Sequence, residues 1–392
     1  MREVYNRMAR VLILGGGFAA ISAAETITAS IGSEHEVMLV SNSSDFTFYP
    51  AIVPMVFGDF KPDEVKFDLR PKLAERGINF LKGDVRAINT RRRTVEVAGD
   101  RIRSTVGYDH LIVAVGRRLV MGFVPGLAEY AHSLLSIDAA LKFKEAIASF
   151  ESGAIVVGLC PGATLPVPVC ESALALARRF HNEIESGKVS ISVVVPATLD
   201  KAFEGSALFR DIEQEFDRAG VRLVSDFAVS DVSKSELKSV LGAKIRHDLL
   251  MLIPPFGGQL SLRSLGHVAN FSGFANVNSR MQVDGLESVY AAGDIIGVPG
   301  PKFGYMAIRQ GKVAGANVLA ELAGEEPSAE YTHKLEWAIG EKYTDPVFFH
   351  YGFWDETLND FDDTALFGMA RKLREHYGPV TIPSDESHRF AA

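Results

Sequence analysis

"ARVLILGGGFAAISAAETI", residues 9–27, passes from an aliphatic run through three glycines into an alanine-rich run. That order reads as strand, tight turn and helix, the opening of a Rossmann unit. Gly15 permits the turn, Gly17 lets a pyrophosphate approach the backbone, and Ala20 stands where the helix packs on the strand. The free N–H groups and the dipole of the helix start then favour the phosphates of a dinucleotide. The next strand, "HEVMLV" (35–40), runs into Ser41 and Asn42, where such folds hold an acid for a ribose hydroxyl. Asn42, or a nearby backbone group, is the candidate for that hydrogen bond.

Two later segments match what a flavin-binding version of this fold requires. "YDHLIVAVGRRL" (108–119) is a buried strand followed by Gly116. "SVYAAGDIIGVPGPKFGYMAIRQGKVAGANVLAEL" (288–322) is a strand, an acid, a Gly/Pro loop and a long helix. Asp294 follows Gly293 at the strand end, where a carboxylate can accept hydrogen bonds from a ribityl chain; the alternative is a turn cap. A helix starting near Tyr305 would aim its positive end at an isoalloxazine carbonyl.

Composition narrows the classes. The 392 residues allow two or three domains, and 47% hydrophobic with 23% charged residues is ordinary for a globular chain. A formal net charge of -8 without Lys/Arg runs argues against nucleic acid as a partner. Two cysteines make no disulfide framework and fit a reducing compartment. With no long apolar span and no signal-like start, a cytoplasmic protein is expected, with peripheral contact at the inner membrane face. The histidines pair with neither cysteine nor acid at ligand spacing, so no metal site is proposed.

The middle of the chain repeats the alternation: "SGAIVVGL" and "VSISVVVP" read as strands, "ESALALARRFHNEI" and "SALFRDIEQEFDRAG" as helices, and "DLLMLIPPFGG" as a returning strand. This is α/β, with doubly wound sheets. Between the first strand and helix lies "VVGLCPGATLPVPVCE" (156–171), where a second dinucleotide turn belongs. Gly158 is followed there by Pro161, Pro166 and Pro168, expected to precede the helix. Prolines remove N–H donors, so this reads as a poor phosphate cradle and a loss of efficient NAD(P)H binding.

These blocks, with "DFTFYPAIVPMVFGDFKPDEVKFDL" (45–69) and "VPGPKFGYMAIRQG" (298–311), resemble the FAD-dependent pyridine nucleotide-disulfide oxidoreductases over residues 9–325. Within them the likeness is to the sulfide:quinone oxidoreductase and flavocytochrome c sulfide dehydrogenase branch. The resemblance implies two Rossmann-like domains, an FAD-binding one (9–118 and 285–325) split by a second (119–284), then a carboxy-terminal region (326–392). It implies FAD as cofactor, a reduced sulfur donor and a quinone or protein acceptor; a homo-oligomer is expected. Lys302 would lie near the flavin pyrimidine edge, where an ammonium stabilises a reduced flavin. Tyr305, Met306 and Gln310 would border a quinone pocket or simply pack.

Sulfide-oxidising relatives carry one redox cysteine in the proline-rich loop and another near the carboxy-terminal region. Here the loop position falls near Leu165, and no cysteine follows Cys170. Cys160 and Cys170 form a catalytic pair if the loop has shifted; otherwise both are inert small hydrophobes. Two other readings stay open: a single-subunit NADH:quinone oxidoreductase, and a flavoprotein subunit active only in a complex. In the aromatic-rich end, Leu366, Ala370, Leu373 and Tyr377 share one helical face, suited to a membrane interface or a packing contact. Phe348, Phe349, Phe353 and Trp354 are expected to wall a cavity over the flavin.

Overall fold

The computed structural model describes residues 8–31, 35–99, 103–203, 208–262, 269–270, 272–298, 300–332, 334–341 and 345–352. The chain opens with β1 (Arg10–Leu14), α1 (Phe18–Thr28), β2 (Glu36–Ser41), β3 (Asn79–Lys82) and β4 (His110–Val113). Residues 11–14 are wholly buried, which is why this strand reads as a continuous apolar run and not as an alternation. An antiparallel meander of Asp84–Asn89, Thr94–Ala98 and Arg103–Gly107 separates β3 from β4.

After β4 the chain leaves this sheet through β5 (Arg118–Leu119) and α2 (Ile137–Ala148). It then builds β6 (Gly153–Leu159), α3 (Pro166–Arg179), β7 (Val189–Val194), α4 (Leu208–Arg218), β8 (Val221–Val224) and β9 (Leu249–Ile253). These strands form a second parallel sheet in the order β8-β7-β6-β9. The return is β10 (Phe256–Gly257), antiparallel to β5, with Arg118 opposite Gly257 and Leu119 opposite Phe256. Far downstream, β11 (Val289–Ala291) joins the first sheet beside β4, giving the order β11-β4-β1-β2-β3. The first Rossmann unit is therefore split by the second.

The last long helix, α5 (Gly304–Leu322), packs along α1. Two glycines allow this closeness: a Cβ on Gly311 would lie 2.3 Å from the Ala19 carbonyl oxygen, and one on Gly315 would lie 3.0 Å from that of Ala23. The Ser22 hydroxyl donates to the Ile308 carbonyl at 2.9 Å and fixes the register. Both helices thus begin at the carboxyl ends of the strands, where open α/β sheets bind ligands.

The other end of α5 is clamped. Glu321 accepts from the Tyr290 hydroxyl at 2.8 Å, and its second oxygen lies 2.8 Å from His110 Nδ1. Burial pushes the Glu321 carboxyl up, but the hydrogen bonds from His110, Tyr290 and Ser288 outweigh it and hold the group below its usual value. A carboxylate with a lowered folded pKa contributes stability above its unfolded pKa and loses it as pH falls through the folded one. Glu321→Gln is therefore expected to cost about 1–2 kcal/mol at neutral pH, with the difference vanishing in strong acid. Thermal unfolding of both proteins at pH 7 and below pH 4 checks this; an equal gap at both pH values would exclude the clamp.

A hairpin of Lys334–Glu341 and Asp345–Gly352 follows α5. Phe348 and Phe349 fall in its second strand, described by its backbone alone. Phe353, Trp354, Leu366, Ala370, Leu373 and Tyr377 lie outside the described residues.

Candidate functional site

Both sheets open onto one cavity of about 830 Å³. The first unit lines it with Gly15–Ala19, Ser41, Asn42, Gly116, Arg117, Gly293 and Asp294, the second with Leu165, Val167, Pro168, Glu171 and Ile253.

The glycines divide by what surrounds them. Gly15 has φ +118°, and a Cβ there would sit 2.1 Å from the Ala114 carbonyl oxygen, so the turn admits only glycine. Gly17 and Gly116 face open space, with no atom within 4 Å of an ideal Cβ. A backbone bare on its cavity side lets a ligand come close. Gly17 is the N-cap of α1, and neither that helix nor α5 has a side-chain cap at its start. Two sets of free N–H groups therefore meet one cavity, an arrangement that suits the anionic and carbonyl groups of a flavin dinucleotide. Ala20 is wholly buried behind the turn, off the cavity.

Where an acid would meet the ribose, Ser41 packs behind the turn, its Oγ 2.8 Å from where a Gly16 Cβ would be, and Asn42 lines the cavity beside it. At the opposite end Gly293 has φ +81° and donates its N–H to Gln310 Oε1 at 2.8 Å. Gln310, one of the residues expected at a quinone pocket, is buried and anchors this turn instead. Met306 is also buried and off the cavity, while Tyr305 is buried but contributes to the wall.

Asp294 is ion-paired to Arg117, Nη1 to Oδ2 2.7 Å. The Arg117 guanidinium lies 3.8 Å over the Phe256 ring. Tyr49, about half exposed on the cavity rim, faces the same pair: partial desolvation pushes its phenol up, the Arg117 charge opposes this and Asp294 adds to it. Sequence reasoning passed over Arg117, although a cation directly after the strand-end glycine was its visible signal. Lys302 lines the cavity with its ammonium turned to its own loop, donating to the carbonyls of Ile296 at 3.1 Å and Val298 at 2.7 Å.

The second unit's turn differs from the expected one in one respect. Its helix begins at Pro166, so Pro166 and Pro168 occupy the first turn and do not precede it. Proline is tolerated there because those N–H groups lack helical partners, but the same placement removes two of the donors a phosphate would use. Gly158 lies inside β6, where a Cβ would meet Val194 Cγ2 at 2.3 Å, so it serves strand packing. The intervening loop is tied across: Ala163 N–H bonds the Cys160 carbonyl, Phe256 N–H the Gly162 carbonyl at 3.2 Å, and Lys302 N–H the Thr164 carbonyl at 3.1 Å.

The catalytic pairing of Cys160 with Cys170 is corrected by the same geometry. Side chains alternate across a strand, so Ile155, Val157 and Leu159 face α3, and Cys160 faces the other side with Val156, Leu250 and Leu252. Cys170, on α3, belongs to the first face. Both thiols are free, buried and off the cavity. Burial pushes Cys160 up to about 12 and raises Cys170 as well, the latter with help from Glu171, so neither is a thiolate at neutral pH. The loop position at the cavity is Leu165. Cys160→Ala and Cys170→Ala are expected to leave the rate of flavin reduction within about twofold of the parent, because neither thiol reaches the site. A larger loss in rapid-mixing absorbance traces would restore a thiol role.

A family model described as pyridine nucleotide-disulphide oxidoreductase matches residues 9–311. The chain belongs to that family. Members of it related to this chain are FAD-binding flavoproteins. The chain is 23% identical over 304 residues to the sulfide-quinone reductase of Aquifex aeolicus, covering 74% of this chain and 69% of that one. It is 25% identical over 352 residues to a type II NADH:quinone oxidoreductase of Mycobacterium tuberculosis, covering 82% and 74%. Among solved structures, the A. aeolicus sulfide:quinone oxidoreductase matches with TM-score 0.80 and 21% identity over 87% of this chain and 83% of that one. The family's FAD fits the residues present. Gly17 and Gly116 would leave room for it, the Gly15 turn and the starts of α1 and α5 would offer it N–H groups, and Asp294 would offer an acceptor.

Proposed function

We propose that this chain takes electrons from a small reduced donor, hydrosulfide or another reduced sulfur compound, and passes them through FAD to a quinone or an electron-transfer protein. The observation that carries the donor side is the wall of Leu165, Val167, Pro168 and Glu171 that the second unit turns to the cavity where a dinucleotide cradle would be. Its Cys160 and Ala163 N–H groups are already given to the Ile253 and Cys160 carbonyls and its prolines lack N–H groups, so an NAD(P)H pyrophosphate would find few donors. The names of the sulfide-quinone and NADH:quinone relatives support a quinone as acceptor.

Bound FAD supplies two-electron chemistry. The protein contributes the rest: the Gly15 turn and the α1 start hold the phosphates, Asp294 orients the ribityl side, and Leu165, Val167, Pro168 and Glu171 wall the donor side. Electrons enter without a protein thiol: two hydrosulfide ions join through a new S–S bond and leave as hydrogen disulfide anion, the broken S–H bond giving its proton and two electrons to the flavin. We divide the chain into an FAD-binding unit (9–118 and 285–325), a second unit (119–284) that walls the donor side, and a carboxy-terminal acceptor region (326–392). A quinone acceptor calls for a membrane surface. The contact is proposed to be peripheral; no helix among the described residues is long and apolar enough to cross a membrane.

Anaerobic titration of the FAD-loaded protein with sulfide, NADH and NADPH in parallel, each followed by a soluble quinone, tests this. Sulfide is expected to bleach the flavin, stoichiometric NADH or NADPH to leave it oxidised, and quinone to restore the colour. Immediate bleaching by NADH would replace this reading with the type II NADH:quinone one.

A further inference from the structure

The chain crosses between its two Rossmann units through β5 and β10, and these crossings pair with each other. Arg117 stands directly before the first crossing. Its guanidinium covers the ring of Phe256, on the second crossing, at 3.8 Å and reaches Asp294 of the first unit at 2.7 Å. The Arg117 side chain is only 13% exposed and lines the flavin cavity. Phe256 in turn donates its N–H to the Gly162 carbonyl of the proline loop, and the neighbouring Gln259 side chain donates to the Val115 carbonyl at 3.3 Å. One planar cation therefore touches both the carboxylate that meets the cofactor and the segment that holds the second unit's loop.

We propose that Arg117 is a positioning residue that couples occupation of the flavin site to the setting of the second unit, through Asp294 on one side and Phe256 on the other. The coupling rests on FAD binding at the Gly15 cradle. The guanidinium suits both contacts at once, since it keeps its charge when shielded from water and lies over the ring while a carboxylate stands within ion-pair distance. FAD bonded to Asp294 stiffens that carboxylate, the carboxylate holds Arg117 flat, and Arg117 holds the Phe256 crossing against the second unit. Nothing in this chain of contacts requires a large motion.

Hydrogen exchange of the peptides covering Cys160 and Phe256, both off the cavity, is measured with and without FAD in four proteins. In the parent, FAD is expected to slow exchange in these peptides by about tenfold or more. Arg117→Met, which loses the charge, is expected to abolish that slowing and to weaken FAD binding. Arg117→Lys restores the ion pair and the FAD affinity but not the slowing, because an ammonium cannot lie flat on the ring; Phe256→Leu should behave as Arg117→Lys does. A merely structural role would shift exchange equally with and without FAD. FAD-dependent protection in Arg117→Met or Phe256→Leu equal to that of the parent overturns the coupling. A parent protein that takes up no FAD would instead defeat the flavin assignment, and the coupling with it.

Discussion

Gly15→Ala is expected to yield a colourless and destabilised protein. A Cβ at Gly15 meets the Ala114 carbonyl oxygen at 2.1 Å, backbone against backbone, at a φ of +118° that a side chain does not tolerate. Relief requires moving β1 or the segment after β4, both in the middle of the first sheet. The cost is about 3 kcal/mol or more, of the size seen for strain at a special backbone position, and a distorted turn no longer presents the α1 start to a phosphate. Gly17→Ala provides the contrast. It has φ -92°, and nothing lies within 4 Å of its Cβ position, so the protein should fold as the parent does. Its methyl group stands in the cradle and should weaken FAD binding alone. The ratio of flavin absorbance to protein after gel filtration, read beside the melting temperature, separates the two. A yellow Gly15→Ala with the parent's melting temperature would refute the cradle.

Asp294→Ala is expected to lower FAD affinity roughly tenfold to a hundredfold, the equivalent of losing about 1.5–3 kcal/mol of hydrogen bonding to a charged group. It also leaves Arg117 uncompensated in a wall where that side chain is 13% exposed, so the ligand-free protein should lose stability as well. Asp294→Asn keeps an acceptor for the ribityl side but not the charge, and should recover part of the affinity with little of the stability. Fluorescence titration of the ligand-free proteins with FAD measures the first effect and thermal unfolding the second. Unchanged affinity in Asp294→Ala would remove this carboxylate from the site.

The fold was largely legible because its signals are local. Residues 9–27 announce strand, turn and helix by composition alone, and the downstream block from Ser288 to Leu322 closes the same sheet. The Gly311 and Gly315 contacts that seat α5 on α1 were not legible, since a glycine inside a helix does not say which backbone it approaches. Gly158 shows the converse: it resembled a remnant of a phosphate turn, and its neighbours make it a packing glycine. Lys302, placed near the flavin by resemblance, does line the cavity, but a loop lysine carries no mark of the Ile296 and Val298 carbonyls that hold its ammonium.

By itself the sequence determined the strand and helix alternation of two Rossmann units and the scarcity of N–H donors at the second turn, because hydrophobic period, glycine placement and proline chemistry act within a few neighbouring residues; the flavin family came from resemblance to known members. Only the tertiary structure decided that Cys160 and Cys170 lie on opposite faces of a sheet, and that Arg117 joins Asp294 to Phe256, residues far apart in the chain. The first depends on strand pleat and the second on the pairing of two crossings, and both are set by how distant segments pack.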